Sequence, residues 1–173
     1  MDASEPLQWR LRVWTRFLAP CEDVWRAKTD AGIAHDEFRP WLDFRPDDPD
    51  GMQRAVVEGR PGRFPARLWP LGIEWVTEIV ESVPGVEFVD RSRNRLFSEY
   101  EHHHVFEPTT DGCRYIDDVR FVPAPGLPSR LVARLTERLF VHRHRRAARH
   151  LPHDPQATGV SVLRRVLPDS PQD

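Results

Sequence analysis

Residues 96–122 read LFSEYEHHHVFEPTTDGCRYIDDVRFV, two strand-like stretches on either side of a turn. Side chains of a strand alternate between the two faces of its sheet, so one face carries Tyr100, His102, His104 and Phe106. Turn-forming residues at 107–112 predict that the second stretch folds back as a β-hairpin. This pairing places His104 opposite Asp117, so titratable groups lie among aromatic side chains. The pattern favours a lined pocket over a plain core.

Working outward from the hairpin, the sequence predicts an antiparallel sheet and one long helix. Residues 21–32 and 34–44 are typical of two short helices, the first with an acidic first turn. Residues 127–151 predict an amphipathic helix with a leucine at every fourth position, long enough to cover the sheet. Short apolar segments between Gly and Pro turn signals predict about seven strands, at 8–18, 52–58, 63–70, 73–82, 86–92, 96–107 and 113–122.

Length and composition indicate one domain of 173 residues with a tail. We expect the domain at residues 1–151 and a tail, partly extended or disordered, at 152–173. The net charge of −2 gives no general attraction to nucleic acid. Cys21 and Cys113 predict neither a disulfide framework nor a metal cluster. No secretory signal and no spanning apolar run is seen, so a cytoplasmic protein without membrane insertion is expected.

The motifs resemble the START-like, or SRPBCC, superfamily, which includes the birch-pollen allergens, and more narrowly its bacterial ligand-binding branch. The matching residues are Tyr100-x-His102-x-His104-x-Phe106, Asp117-Asp118-Val119-Arg120-Phe121, Phe88-Val89-Asp90, and Leu18-Ala19-Pro20 with Val24-Trp25. The resemblance implies an α+β helix-grip fold, in which a curved antiparallel sheet wraps around the long C-terminal helix. It also implies a cavity between the sheet and that helix, for a lipid, a polyketide or an aromatic metabolite.

The predicted function is therefore the binding of a small hydrophobic molecule in this cavity. Such pockets are mostly apolar, with a few polar groups that fix the orientation of the ligand. The predicted polar groups are His102, His104 and Asp117. The predicted walls are Trp69, Trp75, Tyr100, Phe106, Tyr115, Val119, Phe121, Leu131 and Leu135.

Two other classes of function remain open. A cyclase, dehydratase or hydrolase could use His104 as a general base oriented by Asp117, with His102 beside it. A buried His–Asp pair that only braces the hairpin, in an interaction protein with a filled core, explains the same residues. His102 and His104 could also bind zinc with Asp117, but no further ligand motif supports this, so no metal and no cofactor is predicted. Phosphate-binding and serine-hydrolase motifs are absent, and either a monomer or a homodimer is expected.

Overall fold

One antiparallel sheet of eight strands forms the body of the protein in a computed structural model, which describes residues 8–44, 48–58 and 62–166. Its spatial order is β2-β3-β4-β5-β6-β7-β1-β8. In chain order the strands are β1 (Gln8–Phe17), β2 (Leu42–Phe44), β3 (Gly62–Leu68), β4 (Ile73–Val83), β5 (Glu87–Arg93), β6 (Phe97–Thr109), β7 (Gly112–Pro123) and β8 (His153–Val166).

Four helices accompany the sheet: α1 (Cys21–Thr29), α2 (Ala31–Phe38), α3 (Pro49–Glu58) and α4 (Ser129–Ala147). The long helix α4 contacts β1, β7, β8 and α2. An antiparallel sheet packed on a long C-terminal helix is the predicted α+β helix-grip architecture, which is confirmed. No helix of the described residues is both long and apolar enough to cross a membrane.

The register of the central hairpin is also confirmed. His104 pairs with Asp117 and His102 with Val119 across β6 and β7, as alternation along the two strands predicts. The turn end of this hairpin lies against β1 so closely that a Cβ on Gly112 would meet the Phe17 carbonyl oxygen at 2.0 Å. Glycine is therefore required where β7 begins.

The strand count differs from the seven predicted because one segment is helical and two others are strands. Residues 52–58 belong to α3, where Met52, Ala55 and Val56 are buried at a helical spacing of three and four residues. Residues 42–44 form β2 rather than the end of a helix. Residues 153–166, part of the predicted tail, form β8, which pairs with β1. The division into a domain at 1–151 and a tail at 152–173 stays a prediction.

The boundary between the first two helices differs from the prediction as well. Asp30 separates them, because its side chain accepts a hydrogen bond from the Ile33 backbone N–H at 2.9 Å and so caps α2. Gly32, which was expected to end the first helix, lies inside the second. The termini 1–7 and 167–173, which bear on the secretory-signal and tail predictions, lie outside the described residues.

Helix α4 buries a different face from the one that its leucines suggest. Leu131 is 55% exposed and Leu135 is 52% exposed. The face that packs on the sheet is Val132, Ala133, Thr136, Phe140, Arg143, His144 and Ala147. An exact four-residue repeat drifts around a helix of 3.6 residues per turn, so a leucine repeat alone does not identify the buried face.

The two cysteines correct a further expectation. Cys21 at the start of α1 and Cys113 in β7 form a disulfide bond, with their Cα atoms 4.9 Å apart. The two positions are 92 residues apart in sequence, and they meet because α1 packs on β7. The bond therefore joins the helical layer to the sheet.

Candidate functional site

A cavity lies between strands β3 to β6 and the helices that cover them. The centre of a water molecule can reach about 70 Å³ of this space. About 10–15 Å³ of such space suffices for one water, so the cavity has room for several waters or a small ring. Most of its walls are apolar or aromatic: Ala34, Phe38, Leu42, Phe44, Met52, Phe64, Trp75, Ile79, Phe88, Tyr100, Leu139 and Phe140.

One end of the cavity is polar and is formed by what we call the Asp90 cluster: Asp90, His102 and His104. Asp90 on β5 pairs directly with His102 on β6, and alternation turns both inward with His104. The Asp90 Oδ2 atom lies 3.1 Å from His102 Nδ1 and 2.8 Å from His104 Nε2. The His102 and His104 rings lie 3.8 Å apart between centroids. All three residues are buried and line the cavity.

Behind the histidines lies a second set of groups, the Asp117 cluster: Tyr115, Asp117, Arg143 and His144. Asp117 Oδ1 accepts hydrogen bonds from His102 Nε2 at 3.0 Å and from the Tyr115 hydroxyl. Asp117 Oδ2 accepts from Arg143 Nη1 and from His144 Nε2, each at 3.0 Å. Both oxygens of this fully buried carboxylate are thus satisfied within the protein, and it does not line the cavity.

A chain of charged side chains continues from Arg143 to the helices that cover the sheet. Arg143 Nε donates to Glu37 on α2 at 3.1 Å, and Lys28 on α1 donates to the other Glu37 oxygen at 2.7 Å. Lys28, Glu37 and Arg143 are all buried. Unpaired buried charges would be costly, so this network of charged side chains fixes α1, α2 and α4 relative to each other.

The environments of the two cavity histidines push their pKa values in opposite directions. Burial alone would lower the pKa of His102, but its contacts with Asp90 and Asp117 outweigh burial and raise it. Burial, together with the charge of His102, lowers the pKa of His104 to about 3. The Asp90 pKa is lowered by both histidines despite burial. At neutral pH His104 is therefore neutral, while the pKa of its neighbour His102 lies above its usual value.

This charge state leaves one contact around His104 without a proton. His104 Nδ1 lies 2.7 Å from the Tyr115 hydroxyl, which itself donates to Asp117. His104 Nε2 faces the Asp90 carboxylate. A neutral imidazole carries one N–H, so it cannot donate to both partners. The Asp90 cluster is thus short of one hydrogen-bond donor, whereas the Asp117 cluster is fully satisfied.

The structure brings together only part of the predicted site. Trp75, Tyr100, His102 and His104 line the cavity. Five predicted residues are buried but packed away from the cavity, namely Phe106, Tyr115, Asp117, Val119 and Phe121.

Three predicted wall residues lie at the surface, which corrects the prediction for them. Trp69 is 64% exposed, because β3 ends at Leu68 and Trp69 lies in the turn that follows. Leu131 and Leu135 lie on the outer face of α4.

The expected hydrogen bond between His104 and Asp117 is not formed, which corrects the prediction. The two residues are opposite each other in register, but the closest approach of their charged atoms is 3.6 Å, and Asp117 bonds His102 instead. His104 instead contacts Asp90 at 2.8 Å, on strand β5, which pairs with β6 on the side opposite to β7.

Several residues of the site were not among the predicted ones. Asp90 appeared only as part of a motif, and Lys28, the single lysine of the chain, gave no signal of burial. His144 was not among the predicted site residues, yet it is fully buried and accepts a hydrogen bond from Thr15 at 2.9 Å. The spacing of Phe140, Arg143 and Ala147 is the signal that would have placed Arg143 on the buried face of α4.

Comparison with known proteins supports the same fold. A family model described as a domain of unknown function, DUF8410, matches residues 15–151. A search of curated protein sequences found no match. The START superfamily protein from Mycobacterium smegmatis is similar in structure, with a TM-score of 0.63 at 13% identity, covering 84% of this chain and 97% of that chain.

Two aromatase/cyclase structures are similar as well. The Zhui aromatase/cyclase from Streptomyces sp. R1128 matches with a TM-score of 0.66 at 12% identity, over 83% of this chain and 93% of that chain. The di-domain ARO/CYC StfQ of the steffimycin biosynthetic pathway matches with a TM-score of 0.61 at 14% identity, over 82% of this chain and 50% of that chain. At these identities the likeness shows the START-like fold alone.

Proposed function

We propose that this chain, which belongs to the DUF8410 family and has a START-like helix-grip fold, binds a small, largely apolar molecule in the cavity described above. The observation that carries the proposal is the lining of the cavity, whose walls are mostly aromatic and aliphatic and whose few polar groups include Asp90, His102 and His104, with the cations Lys28 and Arg143 also in the lining. A ligand with a ring and one oxygen substituent fits this distribution. The aromatic members of the predicted ligand classes are therefore favoured over long lipids.

The size of the cavity narrows the ligand further. A drug-sized pocket measures about 300–1,000 Å³ in total. The space open to water centres here, about 70 Å³, suits at most one small ring, and a second ring requires the cavity walls to shift. A larger polyketide would require Phe38 and Met52, on the covering helices α2 and α3, to move outward. We expect small phenols to bind more tightly than fatty acids.

Catalytic turnover is a second candidate function, because the cavity meets two adjacent histidines, His102 and His104, whose pKa values are shifted in opposite directions. A cyclase, dehydratase or hydrolase reaction would use these groups. However, each ring nitrogen of the two histidines already contacts a protein atom. A substrate would have to displace one of these contacts, so binding is favoured over turnover.

Two further points are the cellular location of the protein and the alternative in which its core is filled. A cytoplasmic location, which the sequence favours, would expose the Cys21–Cys113 bond to reducing conditions. The protein must then keep its fold with both cysteines reduced. The cavity argues against a filled core, and a monomer or a homodimer is compatible with the proposal.

The test is native mass spectrometry of the protein purified from its own host, followed by calorimetric titration with phenol, 2-naphthol and palmitate. We expect a co-purified small molecule, and binding of 2-naphthol that is weakened by Ala34→Leu, which fills the cavity. Leu131→Gln, on the outer face of α4, is the matched control and should bind as the wild type does. Unchanged 2-naphthol binding by the folded Ala34→Leu variant would contradict this location.

A second measurement separates binding from turnover. For a binding protein, His104→Ala lowers the affinity for the co-purified molecule only modestly. For an enzyme, the same variant loses most of the rate of conversion while still binding. Mass spectrometry of that molecule after incubation with each protein distinguishes the two outcomes.

A further inference from the structure

We propose that Asp90, His102 and His104 form a binding site for one divalent transition-metal ion at the polar end of the cavity. The three donor atoms come from adjacent strands: Asp90 Oδ2 from β5, and His102 Nδ1 and His104 Nε2 from β6. These atoms all lie within 4.8 Å of one another. The inference does not depend on the organic ligand proposed above.

The distances between the donor atoms match those around a metal ion. Asp90 Oδ2 lies 3.1 Å from the His102 donor and 2.8 Å from the His104 donor. Ligands about 2.1 Å from a metal are about 3.0 Å apart at right angles and about 3.4 Å apart at the tetrahedral angle that zinc prefers. The two separations from Asp90 Oδ2 are therefore close to those of neighbouring ligands, and the third, between the two histidine donors, is no more than 4.8 Å.

Counting protons gives an independent argument. Five contacts join Asp90, His102, Asp117, Tyr115 and His104 into a closed ring. Two neutral imidazoles and one phenol supply three protons for these five contacts, and charging His102 supplies a fourth, so at least one contact lacks a hydrogen. Filling all five with protons would require two charged imidazoles stacked 3.8 Å apart.

A metal ion removes this conflict. Bound at Asp90, it replaces the two protons that the contacts of Asp90 Oδ2 need. The three remaining contacts then have one proton each. His102 Nε2 donates to Asp117, His104 Nδ1 donates to Tyr115, and the Tyr115 hydroxyl donates to Asp117.

The surroundings of the histidines are those expected for metal ligands. Histidines that bind a metal usually donate their other N–H to a carboxylate, which fixes the tautomer and the orientation of the ring. Asp117 accepts a hydrogen bond from His102 directly and is connected to His104 through the Tyr115 hydroxyl. Arg143 and His144 hold Asp117 in place by donating to its other oxygen. Asp117 is thus a positioning residue of the site rather than a ligand.

The charges around the proposed metal and its access to the cavity indicate which class of further, non-protein ligand it would bind. Around the site, the buried carboxylates of Asp90, Asp117 and Glu37 lie near the side chains of Lys28 and Arg143, and both of these also line the cavity. A divalent ion adds positive charge beside Lys28 and Arg143, which an anionic oxygen would balance. Because all three protein ligands line the cavity, the open positions of the metal face it. Hydroxide, a phenolate or a carboxylate is the expected class of further ligand.

Two histidines and one carboxylate favour zinc, iron(II) or cobalt(II) over magnesium or calcium, which prefer oxygen ligands. The experiment is a titration of the chelator-treated full chain with Zn²⁺ and with Co²⁺, the latter followed by visible absorption. We expect one equivalent to bind, and the Co²⁺ complex to show ligand-field bands that Zn²⁺ abolishes. His103→Gln is the control, because His103 faces the other side of β6, where it contacts Glu87 and Glu101.

The variants sharpen the result. His104→Gln and Asp90→Asn should lose the Co²⁺ bands while circular dichroism shows a folded protein, and His103→Gln should keep them. Asp117→Asn should weaken binding about 10–100-fold, as expected for a positioning residue. If the wild-type protein binds neither ion, or if His103→Gln abolishes the bands and Asp90→Asn does not, the proposal is overturned. Binding of 2-naphthol by chelator-treated protein would leave the proposed ligand function standing in that case.

Discussion

Two buried carboxylates, Asp90 and Asp117, lie on either side of the same pair of histidines and have opposite surroundings. Asp117 is closed in by Tyr115, Arg143 and His144, and each of its oxygens accepts two hydrogen bonds. Asp90 faces the cavity, and among the described residues its second oxygen has only the Ser92 hydroxyl at 3.5 Å. The difference teaches that burial and charge alone do not mark a functional group. The unsatisfied carboxylate is the better candidate for binding.

The largest expected effect comes from removing the cation that holds Asp117. Arg143→Met leaves Asp117 and Glu37 buried without their shared partner, which should cost about 3–5 kcal/mol of unfolding free energy. Urea denaturation measures this loss. Arg138→Met, at an exposed position of the same helix, is the control and should unfold nearly as the wild type does. Equal stability of the two variants would contradict the bracing role of the Asp117 cluster.

The next prediction compares the two carboxylates directly. Asp117→Asn should destabilise the protein by about 3 kcal/mol, because it leaves Arg143 facing a neutral amide. Asp90→Asn should cost only about 1–2 kcal/mol, because water in the cavity can solvate its partners. Both losses are read from chemical denaturation at neutral pH. A larger loss for Asp90→Asn than for Asp117→Asn would mean that Asp90, rather than Asp117, is the carboxylate that braces the structure.

The sequence predicted one side of this comparison better than the other. Alternation and the turn at 107–112 were enough to place His104 opposite Asp117, because both signals are local to the hairpin. The role of Asp90 could not be derived locally, since it depends on the neighbouring strand. Arg143 meets Glu37 across 106 residues of sequence, a contact that no short pattern encodes.

The errors in the helical layer have a similar origin. Leu131 and Leu135 make a more obvious apolar repeat than Val132 and Phe140, yet the latter face the sheet. What decides the buried face is the partner offered by the sheet, where Asp117 requires Arg143 and His144 above it. The pairing of β8 with β1 depends on a distant partner in the same way, because it joins residues 153–166 to residues 8–17.

A smaller effect should appear in the pH dependence of stability. Burial lowers the pKa of His144, with Lys28 and Arg143 adding to the shift and Asp117 opposing it. The neutral ring donates to Asp117 and accepts from Thr15. The unfolded chain therefore binds a proton more readily than the folded one, and this contribution to stability, present above about pH 6.5, is lost as the pH falls below that value.

His144→Gln removes this titration and sharpens the comparison at the Asp117 side. The variant should be less stable than the wild type at pH 7.5. Its unfolding free energy should then fall less steeply between pH 6.5 and pH 5. Denaturation curves at several pH values provide the slopes, and a variant slope as steep as that of the wild type would contradict a neutral His144 in the folded protein.

The smallest expected effect concerns the leucines that face away from both clusters. Leu131→Gln and Leu135→Gln should each change the unfolding free energy by no more than about 0.5 kcal/mol, because both side chains are already half exposed. Neither should alter the binding of 2-naphthol. A loss of affinity in either variant would indicate that the leucine contacts the ligand, and would contradict its position on the outer face of α4.

The most direct test of the difference between the two carboxylates is ¹⁵N NMR of the histidine side chains during a Zn²⁺ titration. The account predicts that the resonances of His102 Nδ1 and His104 Nε2, which face Asp90, move together as one equivalent of Zn²⁺ binds. The two nitrogens of His144, which lies on the Asp117 side, should keep their shifts. Unchanged His102 and His104 resonances, or changes of equal size at His144, would contradict it.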